Sequence, residues 1–171
     1  RCLFYKKLHR RIQILPDHML LIEPLEDFCL KQLRKILFPL MLKLYHLAVL
    51  CLHGGFWAKG SKKFMHPLAE DLVGKGYIAV CSNYRLTDAA PAPAQLHDVF
   101  SAIRFLRENA SDYGIDPEKI GVTGSSAGGY LAVMAATFDG GDPLGRPNAA
   151  VGMGAQTDLL SPHIQNSTVL N

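Results

Sequence analysis

From about residue 47 the apolar and polar positions settle into alternating short runs and helical stripes. Leu47-Ala48-Val49-Leu50-Cys51-Leu52 is a continuous apolar run closed by Gly54-Gly55, the pattern of a strand buried on both faces. Phe64, Leu68, Ala69 and Leu72 then recur at helical spacing, and Gly74 and Gly76 end that helix because glycine tolerates the left-handed C-terminal conformation. Tyr77-Ile78-Ala79-Val80-Cys81 reads as a second buried strand. Pro91 and Pro93 mark an extended loop, after which Leu96, Val99, Ile103 and Leu106 form one apolar helix face. Asp116-Pro117 makes a turn, Lys119-Ile120-Gly121-Val122-Thr123 a third strand, Tyr130 to Phe138 a helix, and Ala149-Ala150-Val151-Gly152-Met153 a fourth strand. This alternation predicts an α/β fold, a mostly parallel sheet with helices on both faces.

Residues 1–46 do not join the alternation. They hold apolar residues without a clear period and read as a helix-prone, basic segment, with 47–171 as the core. The chain's net charge of +3 comes from this end, since residues 1–46 carry nine basic and four acidic side chains. Lys6, Lys7, Arg10 and Arg11 read as a solvated face. No interleaving of basic and aromatic residues marks a nucleic-acid module, and no nucleic-acid partner is expected. The run Ile36–Leu52 is interrupted by Pro39, Lys43 and His46 and falls short of the ~20 residues that span a bilayer. It reads as a buried helix followed by a buried strand, with no membrane span. No clear signal peptide is read. The four cysteines, Cys2, Cys29, Cys51 and Cys81, show no CxxC spacing, so zinc-ribbon and redox motifs are set aside. Cys51 and Cys81 lie in apolar runs and read as buried free thiols, which favours a reducing compartment and leaves localisation otherwise open.

At 49% apolar and 19% charged residues the chain can bury a core, so its chemistry is sought on a folded scaffold. Gly124-Ser125-Ser126-Ala127-Gly128 fits G-x-S-x-G between a strand and a helix. A strand turning abruptly into a helix holds the central residue in strained backbone, so the Ser126 hydroxyl stands free at a helix N-terminus, where the dipole favours developing negative charge. The flanking glycines let the two elements approach without a Cβ clash. Ser125 has the wrong spacing to the glycines to be the nucleophile. Upstream, His53-Gly54-Gly55-Phe56-Trp57 follows the first core strand. Acyl transfer creates an oxyanion that needs fixed N–H donors, and Gly54, Gly55 and Ala127 are the candidates. His53 precedes the serine and reads as a holder of loop geometry rather than a base.

Together these residues resemble the α/β-hydrolase superfamily, in the hormone-sensitive-lipase-like and carbohydrate-esterase-like (BD-FAE-like) branch. Besides the two motifs above, the matching pieces are Asn83-Tyr84-Arg85-Leu86, Ala90-Pro91-Ala92-Pro93-Ala94 leading to Asp98, Tyr113-Gly114-Ile115-Asp116-Pro117-Glu118-Lys119-Ile120, and the continuation Gly129-Tyr130-Leu131-Ala132. The resemblance covers roughly residues 47–160, including Thr157-Asp158-Leu159. It implies a serine hydrolase of carboxylic esters that passes through an acyl-enzyme with Ser126 as nucleophile, without metal or organic cofactor. It also implies a small-molecule ester substrate, acetylated or feruloylated sugars among them. The aromatic Phe56, where the family often has a third glycine, also resembles the loop of kynurenine formamidases and keeps amide hydrolysis open. Asn83 stands where an Asp is frequent, a change expected to weaken a loop contact.

The resemblance also implies an acid and then a histidine after the serine, on two later strands. Forty-five residues follow Ser126, with Asp139, Asp142, Asp158 and a single histidine, His163. Asp158 lies in the Thr-Asp-Leu segment, away from where the triad acid resides, and His163 reads as a loop histidine. A substitute triad of Ser126, Asp158 and His163 would depart from the fold. The expectation is therefore a partial α/β-hydrolase fold, truncated at its C-terminal end and incomplete as a catalyst, with an inactive or non-catalytic protein as the rival. The family's opening antiparallel strands have no match in residues 1–46.

Overall fold

The computed structural model describes residues 11–14, 19–23, 46–139 and 142–159. Six strands form one sheet: β1 (Arg11–Ile14), β2 (Met19–Glu23), β3 (His46–Leu52), β4 (Ile78–Ser82), β5 (Ile115–Ser125) and β6 (Ala149–Met153). Their order is β1-β2-β4-β3-β5-β6. β4, β3, β5 and β6 run parallel, while β2 is antiparallel to both β1 and β4. The parallel core agrees with the sequence reading. The front of the chain does not: residues 11–14 and 19–23 are strands rather than helix, and they form an antiparallel opening to the sheet. Cys2, Cys29 and the proposed helix before residue 46 lie outside the described residues.

Among the described residues four α-helices accompany the strands: α1 (His66–Gly74), α2 (Ala94–Glu108), the single turn α3 (Ala110–Tyr113) and α4 (Ala127–Thr137). The period of two along β3 sorts its side chains between the faces. Ala48, Leu50 and Leu52 share one buried cluster with Leu96, Val99, Ile103 and Leu106 of α2 and with Leu131, Ala132 and Ala135 of α4. Cys51 faces the other way, into a smaller cluster with Cys81, Met65 and Ala69, where α1 packs. The Phe64 of the predicted helix stripe instead stands 71% exposed, because a 3₁₀ turn, Lys62–Met65, leads into α1 and turns that ring outward. α1 ends as foreseen. Gly76 takes φ 90°, the Gly76 N–H donates to Val73 O and the Tyr77 N–H to Leu72 O, a Schellman closure. Among the described residues no helix is long and apolar enough to cross a membrane.

β5 begins earlier than its apolar run. Asp116-Pro117 bends it: Asp116 Oδ1 accepts from the Glu118 N–H at 3.0 Å, and the register against β3 shifts between His46 and Ala48. Beyond the bend, β5 runs between β3 and β6 to Ser125, so the next residue emerges at the C-terminal edge of the sheet. The loop after β3 opens at the same edge.

Candidate active site

Ser126 joins β5 to α4 at φ 51° and ψ −116°. L-residues rarely adopt this backbone, and it costs about 1–3 kcal/mol. Neighbours impose it. The Ser126 N–H donates to Met153 O at 2.8 Å, and Ser126 O accepts from the Tyr130 N–H at 2.9 Å. The two motif glycines allow the turn to close. A Cβ on Gly124 would strike the backbone of Gly128, and one on Gly128 would strike the carbonyls of Leu52 and His53. Ser126 is half-buried, whereas Ser125 is exposed at the strand end. Ala127, the first residue of α4, is fully buried.

The loop after β3 lies directly against this turn. A Cβ on Gly54 would stand 2.9 Å from Ser125 O and 3.2 Å from Ser126 Cβ, so only glycine allows that approach. Gly55 takes φ 123° and its carbonyl accepts from the Ala58 and Lys59 N–H groups at 3.1 and 3.0 Å. Phe56 and Trp57 follow at φ 55° and 60°. The Gly54-Gly55 and Ser126-Ala127 pairs, far apart in sequence, thus meet where Gly54 packs on Ser126. Among the described residues, the backbone N–H groups of Gly54, Gly55 and Ala127 donate to no other backbone group.

His53 is buried and braces the loop. Its Nδ1–H donates to Gly54 O at 2.8 Å, and its ring stacks on Tyr84 with centroids 4.4 Å apart and planes 13° apart. The Tyr84 hydroxyl in turn donates to His53 O at 2.8 Å. Burial pushes the His53 imidazole below its ordinary range, against a smaller upward pull from the Gly54 hydrogen bond, so it stays neutral near pH 7. Burial likewise pushes the Tyr84 phenol up. Asn83 does hold a loop contact: its Oδ1 accepts from the Lys62 N–H at 2.7 Å. Arg85 grips Asp98 with the Arg85 Nη2–H donating to Oδ1 at 2.6 Å and the Arg85 backbone N–H to Oδ2 at 2.8 Å, which ties the segment after β4 to α2. The bracing role of Tyr84 was missed in the sequence, although it stands in a motif that singled itself out.

Two of the acidic residues after Ser126 are engaged elsewhere. Asp142 caps the turn Pro143–Gly145, accepting from the Leu144 N–H at 3.1 Å, and pairs with Arg104. Asp139 lies 3.7 Å from Arg146 with its side chain 98% exposed. His163 lies outside the described residues. Among the described residues no group of three His, Cys, Asp or Glu is placed to hold a metal ion.

Comparison with known proteins agrees with this architecture. Esterase LipQ of Mycobacterium tuberculosis is 41% identical over 95 residues, covering 55% of this chain and 22% of LipQ. The arylacetamide deacetylase of Bos taurus is 32% identical over 123 residues, covering 67% of this chain and 29% of the deacetylase. The chain thus spans less than a third of the length of these relatives. Among solved structures, MGS-M1, an α/β-hydrolase enzyme from a deep-sea metagenome library of the Medee basin, superposes with a TM-score of 0.62 at 26% identity, over 83% of this chain and 55% of that one. The BD-FAE family model matches residues 35–153, from before β3 to the end of β6. With both the turn at Ser126 and the Gly54-Gly55 loop inside that match, the chain belongs to the BD-FAE family of α/β-hydrolases.

Proposed function

We propose that this chain carries the acylating half of a carboxylic-ester hydrolase. Ser126 is the nucleophile: its Oγ attacks the ester carbonyl carbon, and the carbonyl oxygen becomes an oxyanion. The N–H groups of Gly54, Gly55 and Ala127 donate to that oxygen. Collapse of the tetrahedral adduct expels the alcohol and leaves an acyl-Ser126, which water then hydrolyses. The observation that carries the reading is the backbone of Ser126, at φ 51° between β5 and α4 with Gly54 packed against it. Strain of this kind persists only when the surroundings over-determine it, and it concentrates at reacting residues. The relatives named esterases support the same class of substrate. No metal or organic cofactor enters the scheme.

The base that takes the Ser126 proton, and the acid that orients that base, are assigned to no residue. Asp139 and Asp142 are committed to surface ion pairs, and His53 gives its Nδ1–H to the loop. Among the described residues no base is positioned for the Ser126 proton, so water must take it, which slows acylation. The chain on its own is therefore proposed to be a weak catalyst. Small acyl esters, sugar acetates among them, are the proposed substrates. A 4-nitrophenyl acetate assay with a Ser126→Ala control tests the reading, together with fluorophosphonate labelling followed by peptide mass spectrometry. Serine-dependent turnover and label on Ser126 are expected. Turnover and labelling that survive in Ser126→Ala would overturn it.

The likeness to an arylacetamide deacetylase favours a second reading, amide hydrolysis. Parallel assays on 4-nitrophenyl acetate and 4-nitroacetanilide separate the two, and faster turnover of the anilide would select the amide reading.

A further inference from the structure

The anion cradle proposed above is assembled from two separate pieces of chain. Gly54 and Gly55 belong to the loop after β3, and Ala127 opens α4. Three N–H groups converge on one oxygen only if their spacing is held to a fraction of an ångström.

The loop side of the cradle does not hold itself. Gly55, Phe56 and Trp57 take φ 123°, 55° and 60° in succession, and two of these three carry side chains that disfavour that region. Such a run persists only under external restraint. Gly55 O restrains the loop from within by accepting from Ala58 and Lys59. The Thr87 N–H donates to Trp57 O at 2.9 Å, which ties the loop to the segment after β4. The side-chain restraint that reaches the nucleophile's own helix is aromatic. The half-buried Trp57 indole meets the Tyr130 ring edge-on, with centroids 5.4 Å apart and planes at 87°. Tyr130 sits one helical turn after Ser126 and donates its backbone N–H to Ser126 O at 2.9 Å. An edge-to-face pair is directional, since the positive ring edge of one partner meets the negative face of the other. It therefore fixes orientation as well as contact.

We infer that Trp57 and Tyr130 form an aromatic clamp across the two halves of the cradle, with Tyr130 a positioning residue that holds the Gly54–Gly55 amides in register with Ser126. The inference rests on the reading of those amides as oxyanion donors. Tyr130 touches no reacting atom and acts through Trp57.

Trp57 is the single tryptophan of the chain, so its emission reports the loop directly. Two measurements on the whole chain test the clamp: Trp57 emission with acrylamide quenching, and the rate of fluorophosphonate labelling of Ser126. Tyr130→Phe keeps the ring and is expected to match the wild type in both. Tyr130→Leu removes the ring and is expected to redden the emission, raise quenching and slow labelling by about tenfold, as expected for misplaced donors. Labelling of the leucine variant at the wild-type rate would overturn the inference. So would slowed labelling with an unmoved Trp57 signal. If the leucine variant loses its far-UV circular dichroism, Tyr130→Met carries the same comparison. If the wild-type chain takes no label, the ester-hydrolase reading fails, and the clamp is judged on Trp57 alone: a red shift in the leucine variant keeps it, and an unmoved signal removes it.

Discussion

A single methyl group decides whether the turn at Ser126 can close. In Gly128→Ala the new Cβ meets the backbone carbonyls of Leu52 and His53, which cannot swing aside as a side chain would. The expected cost is about 2–3 kcal/mol, the upper part of the overpacking range, read as a lowered urea midpoint at unchanged slope. Gly74 is the internal control, because nothing lies within 4 Å of its Cβ position and it closes α1. Gly74→Ala is expected to be neutral or to stabilise by up to about 1 kcal/mol in the same titration. His53 gives the loop a pH dependence. Burial lowers its folded-state pKa below the ordinary 6.5, so the unfolded chain takes the proton first as pH falls. Stability is complete above that ordinary value and is lost progressively below it. In His53→Gln the unfolding midpoint, followed from pH 8 to 5, should lose part of this decline.

Among the elements, α2 carries the largest share of the core. Leu106 is fully buried in the core cluster that α2 shares with β3 and β5, and Leu106→Ala should cost about 3 kcal/mol in urea unfolding, from lost burial plus an unfilled cavity. The Arg85–Asp98 pair that anchors the chain to α2 is half-exposed. Asp98→Asn should therefore bring only a small loss, one that fades as salt rises. These elements differ in how far the sequence announced them. α2 was legible because Leu96, Val99, Ile103 and Leu106 repeat at 3.6 residues and face one core. β3 and β4 were legible as apolar runs of the kind a strand buried on both faces carries, and β6 as a short apolar run after the helix. β1 and β2 were not, since four or five residues carry too little period and β4, which anchors β2 in the sheet, lies far along the chain. Phe64 misled because its spacing to Leu68 is helical, while a 3₁₀ turn rotates it off the stripe. The site divides in the same way. Ser126 and its glycines form a local, covalent pattern, whereas the His53–Tyr84 stack and the Trp57–Tyr130 contact are tertiary, and no spacing encodes them.

On the scale of the whole molecule, β6 stands at one end of the described sheet, contains no charge and no proline, and leaves Val151 61% exposed. Neutral apolar edges of this kind pair with other edges. Sedimentation should show association rising with concentration, and Val151→Lys should suppress it. The centre of the sheet is protected by contrast. Cys51 and Cys81 face each other across β3 and β4, are fully buried and are unoxidised. The neighbouring Cys81 side chain and burial hold the Cys51 thiol up, in its unreactive form. An alkylating reagent can reach this pair only when β3 and β4 part, and those strands carry the Gly54-Gly55 loop on one end and the main core on their faces. The rate at which iodoacetamide modifies Cys51 and Cys81, resolved from Cys2 and Cys29 by peptide mapping, is therefore a stopwatch for the rarest opening of the fold, built in and needing no added label.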